Sequence, residues 1–98
     1  MSKEKRHTGP QLETYLKRRV ESDGGRCLKF VSPGLRGMPD RIVLWPSGTV
    51  EFVEVKGSGD RMRPAQRRAH EMLREMEFRV YTVSSVGDIN EFIDGVPG

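Results

Sequence analysis

Ninety-eight residues make one domain near the lower end of what buries a self-sufficient core. With 32% charged and 7% aromatic residues, that core has to be a thin one of Val, Leu, Ile and Met. Seventeen Lys and Arg against 14 Asp and Glu favour a polyanionic partner, nucleic acid first, with a solvated basic surface as the plain alternative. One cysteine, Cys27, excludes an internal disulfide and a cysteine zinc cluster, and neither a signal peptide nor an apolar run of membrane length is evident, so an intracellular, cytoplasmic chain without membrane partners is expected.

Residues 1–9 are polar and basic and read as a flexible tail, with residues 10–98 as a single domain. Thr8 is placed to cap a helix over about Pro10 to Ser22, whose Leu12, Tyr15, Leu16 and Val20 follow helical spacing. Lys17, Arg18 and Arg19 cover its outer face. Glu13 borders the apolar stripe, and on the residues alone it is a first-turn acid that suits the positive end of the helix dipole. Asp23-Gly24-Gly25 ends the helix. Arg26 to Val31 reads as a short strand with apolar residues on both faces, as in a covered strand, and Cys27 there is a small buried hydrophobe rather than a nucleophile.

A glycine-punctuated loop, Ser32 to Met38, leads into Pro39-Asp40. Its Arg36 is either a phosphate contact or an exposed loop charge. Arg41-Ile-Val-Leu-Trp45, Pro46-Ser-Gly-Thr49 and Val50-Glu-Phe-Val53 read as strand, turn and strand, followed by Glu54-Val55-Lys56. Such a hairpin brings its outer ends together, so Asp40 and Glu54 should be neighbours. Alternation sends Glu54 and Lys56 to one face and Val55 to the other. Two close carboxylates repel unless a proton or cation lies between them, and a hard divalent ion is the natural occupant. The plain alternative is a strand-end salt bridge to Lys56.

Beyond Lys56, residues 57–63 form a flexible basic loop, and Pro64 begins a second helix running to about Glu77. Ala65, Ala69, Met72, Leu73 and Met76 make its buried stripe, with Gln66 on the shoulder. Arg61, Arg63, Arg67 and Arg68 cluster at its start, the pattern of a phosphate-backbone track. His70 reads as a surface or edge residue rather than a ligand. Phe78 to Val83 alternates as a last strand, and Ser84 or Ser85 caps a final helix with Ile89, Phe92 and Ile93 as its apolar face. The order implies an α/β fold in which the second helix crosses between parallel neighbours.

The combination Gly34-x-x-Gly37-x-Pro39-Asp40 with Glu54-Val55-Lys56 resembles the VRR-NUC family (virus-type replication-repair nucleases) of the PD-(D/E)xK nuclease superfamily. The resemblance runs from Glu13 to the final helix. It implies a restriction-endonuclease-like αβββαβ core, with a mixed sheet flanked by helices. It also implies a site in which Asp40, Glu54, the Val55 carbonyl and Glu13 hold Mg²⁺ or Mn²⁺. Lys56 and Gln66 would act on the attacking water or the phosphate, and Arg36, Arg61, Arg63, Arg67 and Arg68 would contact the backbone. Family members often carry Ser before the proline of the second helix, where this chain has Arg63, a poorer cap.

The implied activity is metal-dependent endonucleolytic hydrolysis of DNA, without an organic cofactor. Stand-alone members resemble Holliday-junction resolvases and act as homodimers, so branched or four-way DNA and a second copy of the chain are the implied partners, and a phage origin is consistent with the family. The alternatives are a non-catalytic nucleic-acid-binding module on the same fold, a nuclease without junction preference, and a nuclease acting on RNA.

Overall fold

The protein is described by a computed structural model covering residues 6–95. Helix α1 (Gly9–Ser22) starts one residue earlier than the sequence suggests. Thr8 caps it reciprocally with Gln11: Thr8 Oγ1 accepts from the Gln11 N–H at 3.3 Å, and Gln11 Oε1 accepts from the Thr8 N–H at 2.9 Å. Two donors that a helix start would leave orphaned are thereby satisfied. Residues 1–5 of the expected tail lie outside the described residues. Just before the helix, the His7 carbonyl accepts a hydrogen bond from the Ser58 N–H at 3.3 Å, tying this end of the chain to the loop after Lys56.

Strands β1 (Arg26–Lys29), β2 (Arg41–Leu44) and β3 (Val50–Val55) follow, then α2 (Pro64–Glu75), β4 (Arg79–Val83) and α3 (Val86–Asp94). The sheet order is β1-β2-β3-β4; the first two pairings are antiparallel and β3–β4 is parallel, with α2 making the crossover. The architecture is α/β, a mixed sheet flanked by helices on both faces.

Strand alternation divides the core in two. Cys27, Val43, Val53, Val55 and Val83 pack against Leu12, Leu16 and Val20 of α1 and Ile89, Phe92 and Ile93 of α3. On the other face, Phe52 and Val80 meet Leu73 of α2, with Met72, Ile42, Val50 and Phe30 partly buried around them. The second layer is thin because α2 lies over only part of the sheet.

Four local expectations are corrected. Strand β1 stops at Lys29 and is not covered on both faces: it is an edge strand screened on one side by α1, which leaves Leu28 47% and Val31 78% exposed. His70 is not at the surface but buried, because α2 turns Ala69, His70 and Leu73 together toward the sheet. Met76, assigned to the buried stripe, is exposed because α2 has already ended at Glu75. Arg19 does not cover the outer face of α1 but donates to Asn90 Oδ1 and Tyr15 Oη, joining α1 to α3.

Two backbone positions carry specific demands. Gly37 has φ +83°, and a Cβ there would lie 2.3 Å from the Ala65 carbonyl oxygen, so only glycine lets the incoming loop rest on the first turn of α2. At the other end of α2, the Phe78 N–H bonds to the Leu73 carbonyl and the Glu77 N–H to the Arg74 carbonyl. This is a Schellman closure, and Glu77 occupies with φ 70° the left-handed position that glycine usually takes.

Two stability changes of opposite sign follow. Gly37→Ala should destabilise by about 2 kcal/mol or more, lowering the melting midpoint by roughly 8–16 °C. Glu77→Gly should relieve the left-handed strain and stabilise by about 0.5–1 kcal/mol, raising the midpoint by a few degrees. Thermal unfolding followed by circular dichroism measures both, and an unchanged midpoint in either variant would contradict the backbone argument.

Candidate active site

The register of β2 and β3 sets the acids. Arg41 pairs with Val53, so Asp40, the residue before β2, is level with Glu54 near the end of β3. Residues opposite one another in an antiparallel pair share a face, and both acids lie on the side of the sheet that α2 covers. Asp40 Oδ1 accepts from the Val55 N–H at 3.1 Å, a bond that joins the two chain segments.

Glu54 is 5% exposed. Its Oε2 accepts from Gln66 Nε2 at 3.2 Å and lies 3.6 Å from Lys56 Nζ, while its Oε1 is buried with no hydrogen-bond partner among the described residues. Burial, with the Asp40 charge as the second cause, pushes Glu54 up to about 7. Burial also raises Asp40, against the lowering effect of its bond from Val55. A desolvated acid pair with a lone pair left over could hold a hard cation, since a bound ion would supply the missing partner for Glu54 Oε1 and relieve the repulsion.

Gln66 organises the polar end of the site. Its Oε1 accepts from Lys56 Nζ and from the Arg63 N–H, each at 2.9 Å, while its amide nitrogen holds Glu54. It sits in the first turn of α2, so its reach back to the Arg63 N–H is half a capping box. Arg63 has no acceptor for the other half and makes no side-chain cap bond. The weak cap inferred from the sequence is therefore offset by the residue three positions on.

Because Gly37 rests on α2, Arg36 reaches the same rim as Arg63 and Arg68. With Asp40, Glu54 and Gln66 these arginines line a cleft of about 560 Å³. Arg61 and Arg67 are exposed but do not line it. None of these five arginines makes a salt bridge among the described residues.

Glu13 lies near enough for its charge to help raise Asp40, but its carboxylate is held by Arg41. Its Oε1 accepts from Arg41 Nε at 3.1 Å and lies 3.0 Å from a terminal nitrogen of the same guanidinium. Among the described residues, no three His, Cys, Asp or Glu side chains are grouped closely enough to share an ion. Arg41 is the site neighbour that sequence reasoning missed, although its place beside Asp40 on a strand already implied that it points to the α1 face. Another missed feature is Glu51, fully buried, which accepts from Trp45 Nε1 at 2.7 Å and lies 3.9 Å from the Arg79 guanidinium. It belongs to the core rather than to the cleft.

The model of the VRR-NUC domain family matches residues 5–87. A protein titled "Putative nuclease p44", from Acyrthosiphon pisum secondary endosymbiont phage 1, is 42% identical over 74 residues, covering 76% of this chain and 80% of that one. A solved structure described as a VRR-NUC domain superposes with a TM-score of 0.84 at 32% identity, covering 93% of this chain and all of the other. These matches take in the acids, Lys56, Gln66 and the arginine-lined rim together, and the chain belongs to the VRR-NUC family of PD-(D/E)xK nucleases.

Proposed function

We propose that the chain is a DNA endonuclease dependent on Mg²⁺ or Mn²⁺, acting as a homodimer on branched DNA such as a four-way junction. The observation that carries the metal-dependent part is the buried Glu54 Oε1 beside Asp40, without a hydrogen-bond partner among the described residues. The preference for junctions and the dimer rest on the resemblance to stand-alone resolvase-like members. Two symmetric sites are what paired cuts in a junction require.

Asp40 and Glu54 are the residues to hold the ion, with the Val55 carbonyl completing the set. When bound, the ion supplies a lowered pKa for water and a positive charge against the phosphate. Lys56, fixed by Gln66, presents its ammonium where charge grows on the phosphate oxygens, and it positions the attacking water. Gln66 sets the distance between Lys56 and Glu54, and so acts as a positioning residue. Arg36, Arg63 and Arg68 on the cleft rim, with Arg61 and Arg67 beyond it, hold the phosphodiester backbone. Glu13 joins the ion's surroundings only if its pairing with Arg41 opens.

Cleavage of a labelled four-way junction and of linear duplex, with Mg²⁺, Mn²⁺ or EDTA, tests the reading. Asp40→Asn should lower cutting by about a hundredfold to a thousandfold, as removal of one group that stabilises transition-state charge does. Symmetric paired nicks in the junction support the resolvase reading. Equal cutting of duplex and junction removes the branch preference. Junction binding without cutting, with either metal, favours a binding module instead.

The raised Glu54 generates a second test. An acid whose folded pKa exceeds its unfolded value leaves stability intact below the unfolded value and costs stability as pH rises toward the folded one. Here that window runs from 4.5 to about 7. The full cost is about 3 kcal/mol at most. Glu54→Gln should therefore raise the melting midpoint of the metal-free protein at about pH 8 by roughly 4 °C or more, an advantage that fades near pH 5, while cutting is lost. A variant less stable than wild type at both pH values would show that the Glu54 charge is not strained in the metal-free fold.

A further inference from the structure

On the opposite face of the sheet from the acid pair, a second groove of about 570 Å³ runs between α1 and the ends of β1 and β2. Arg41 closes its floor beside Lys29, its cross-strand partner, and Lys17 and Arg18 stand on the α1 wall. Of the two acids there, Glu13 is held by Arg41, and Glu21 lies near the far end of α1. Lys17, Arg18 and Lys29 are exposed and make no ion pair among the described residues. Three unpaired cations against one unpaired acid make this groove the positive counterpart of the arginine rim on the α2 face.

The two grooves meet at one end of the sheet. Asp40 and Arg41 are consecutive, with Cα atoms about 3.8 Å apart, yet they face opposite sides. From Pro10 to Glu21 the α1 wall extends about 16 Å, room for roughly four or five nucleotide steps of a strand.

Resting on the nuclease reading, we infer that this end of the sheet is straddled by nucleic acid with two backbones. One strand lies in the α2-side cleft over Asp40 and Glu54, and the other lies in the α1-side groove on Lys17, Arg18, Lys29 and the outer edge of Arg41. The sugar-phosphate backbone is the ligand of this second groove. Duplex nucleic acid engages both grooves, whereas a single strand engages only the cleft.

The test uses the full chain carrying Asp40→Asn, so that cutting does not interfere. Fluorescence anisotropy compares a labelled duplex with one of its isolated strands across a salt series. Adding Lys17→Gln, Arg18→Gln and Lys29→Gln should weaken duplex binding by about tenfold or more and reduce the slope of log affinity against log salt by about two to three. Single-strand affinity should stay unchanged. The three positions are exposed, and an unaltered melting curve establishes that the variant is folded. Arg63→Gln with Arg68→Gln serves as the comparison and should weaken both ligands.

Loss of duplex binding with intact single-strand binding supports the second groove. Unchanged duplex affinity and slope in the triple variant, with both ligands weakened by the arginine pair, overturns the groove and leaves the nuclease reading standing. Equal losses for duplex and single strand also overturn it, because one strand then runs through both grooves. Failure of the Asp40→Asn chain to bind either ligand defeats the groove and the nuclease reading together.

Discussion

Two neighbouring carboxylates, one enclosed and one half-buried, are the constraint around which this small protein is built. Asp40 and Glu54 are level in adjoining strand positions, and Glu54 is almost wholly enclosed. Their repulsion is held in check by the Val55 N–H on Asp40, by Lys56 near Glu54, and by the Gln66 amide. The first two are consecutive residues at the end of β3, and the third comes from the first turn of α2. The site is thus a junction of elements, and the fold's regularity exists largely to keep that junction closed in a core only two thin layers deep.

Gln66 shows how one side chain can couple local and tertiary demands. It supplies the helix start with an acceptor that Arg63 lacks, fixes the Lys56 ammonium, and donates to Glu54. The arginine at the cap position is consistent with the same economy: its guanidinium is free to line the cleft because the capping role has passed to Gln66. A partly buried polar network of this kind is worth more than its separate bonds, since leaving a buried member such as Glu54 unpaired carries a desolvation cost.

Much of this was legible in the residues. Helical spacing located Leu12, Leu16 and Val20 and the Ile89, Phe92 and Ile93 face, while the Pro-Ser-Gly turn fixed the hairpin that aligns Asp40 with Glu54. Local patterns do not record which face of an element finds a partner. Leu28 and Val31 look like covered strand residues, but Leu28 lies on the face of the edge strand away from α1 and Val31 falls past the strand's end, so both are exposed. His70 looks polar and external, but α2 lies close enough to the sheet to enclose it. The pairing of Glu13 with Arg41 spans 28 positions. It is a product of how α1 crosses the sheet, which no spacing rule reports.

The parallel pairing of β3 with β4 has a consequence for the order of events during synthesis. The Lys56 N–H donates to the Val83 carbonyl at 2.8 Å, and Val55 pairs with Val83. The acid-bearing end of β3 is therefore braced by β4, a strand made after every residue of the candidate site. A chain still growing on the ribosome can form α1 and the hairpin, which are local, but has no partner for the end of β3 until β4 has emerged. The acids, Lys56 and Gln66 all precede β4 in the chain, so the chemical groups emerge before the strand that braces them and the centre closes only after β4 is in place.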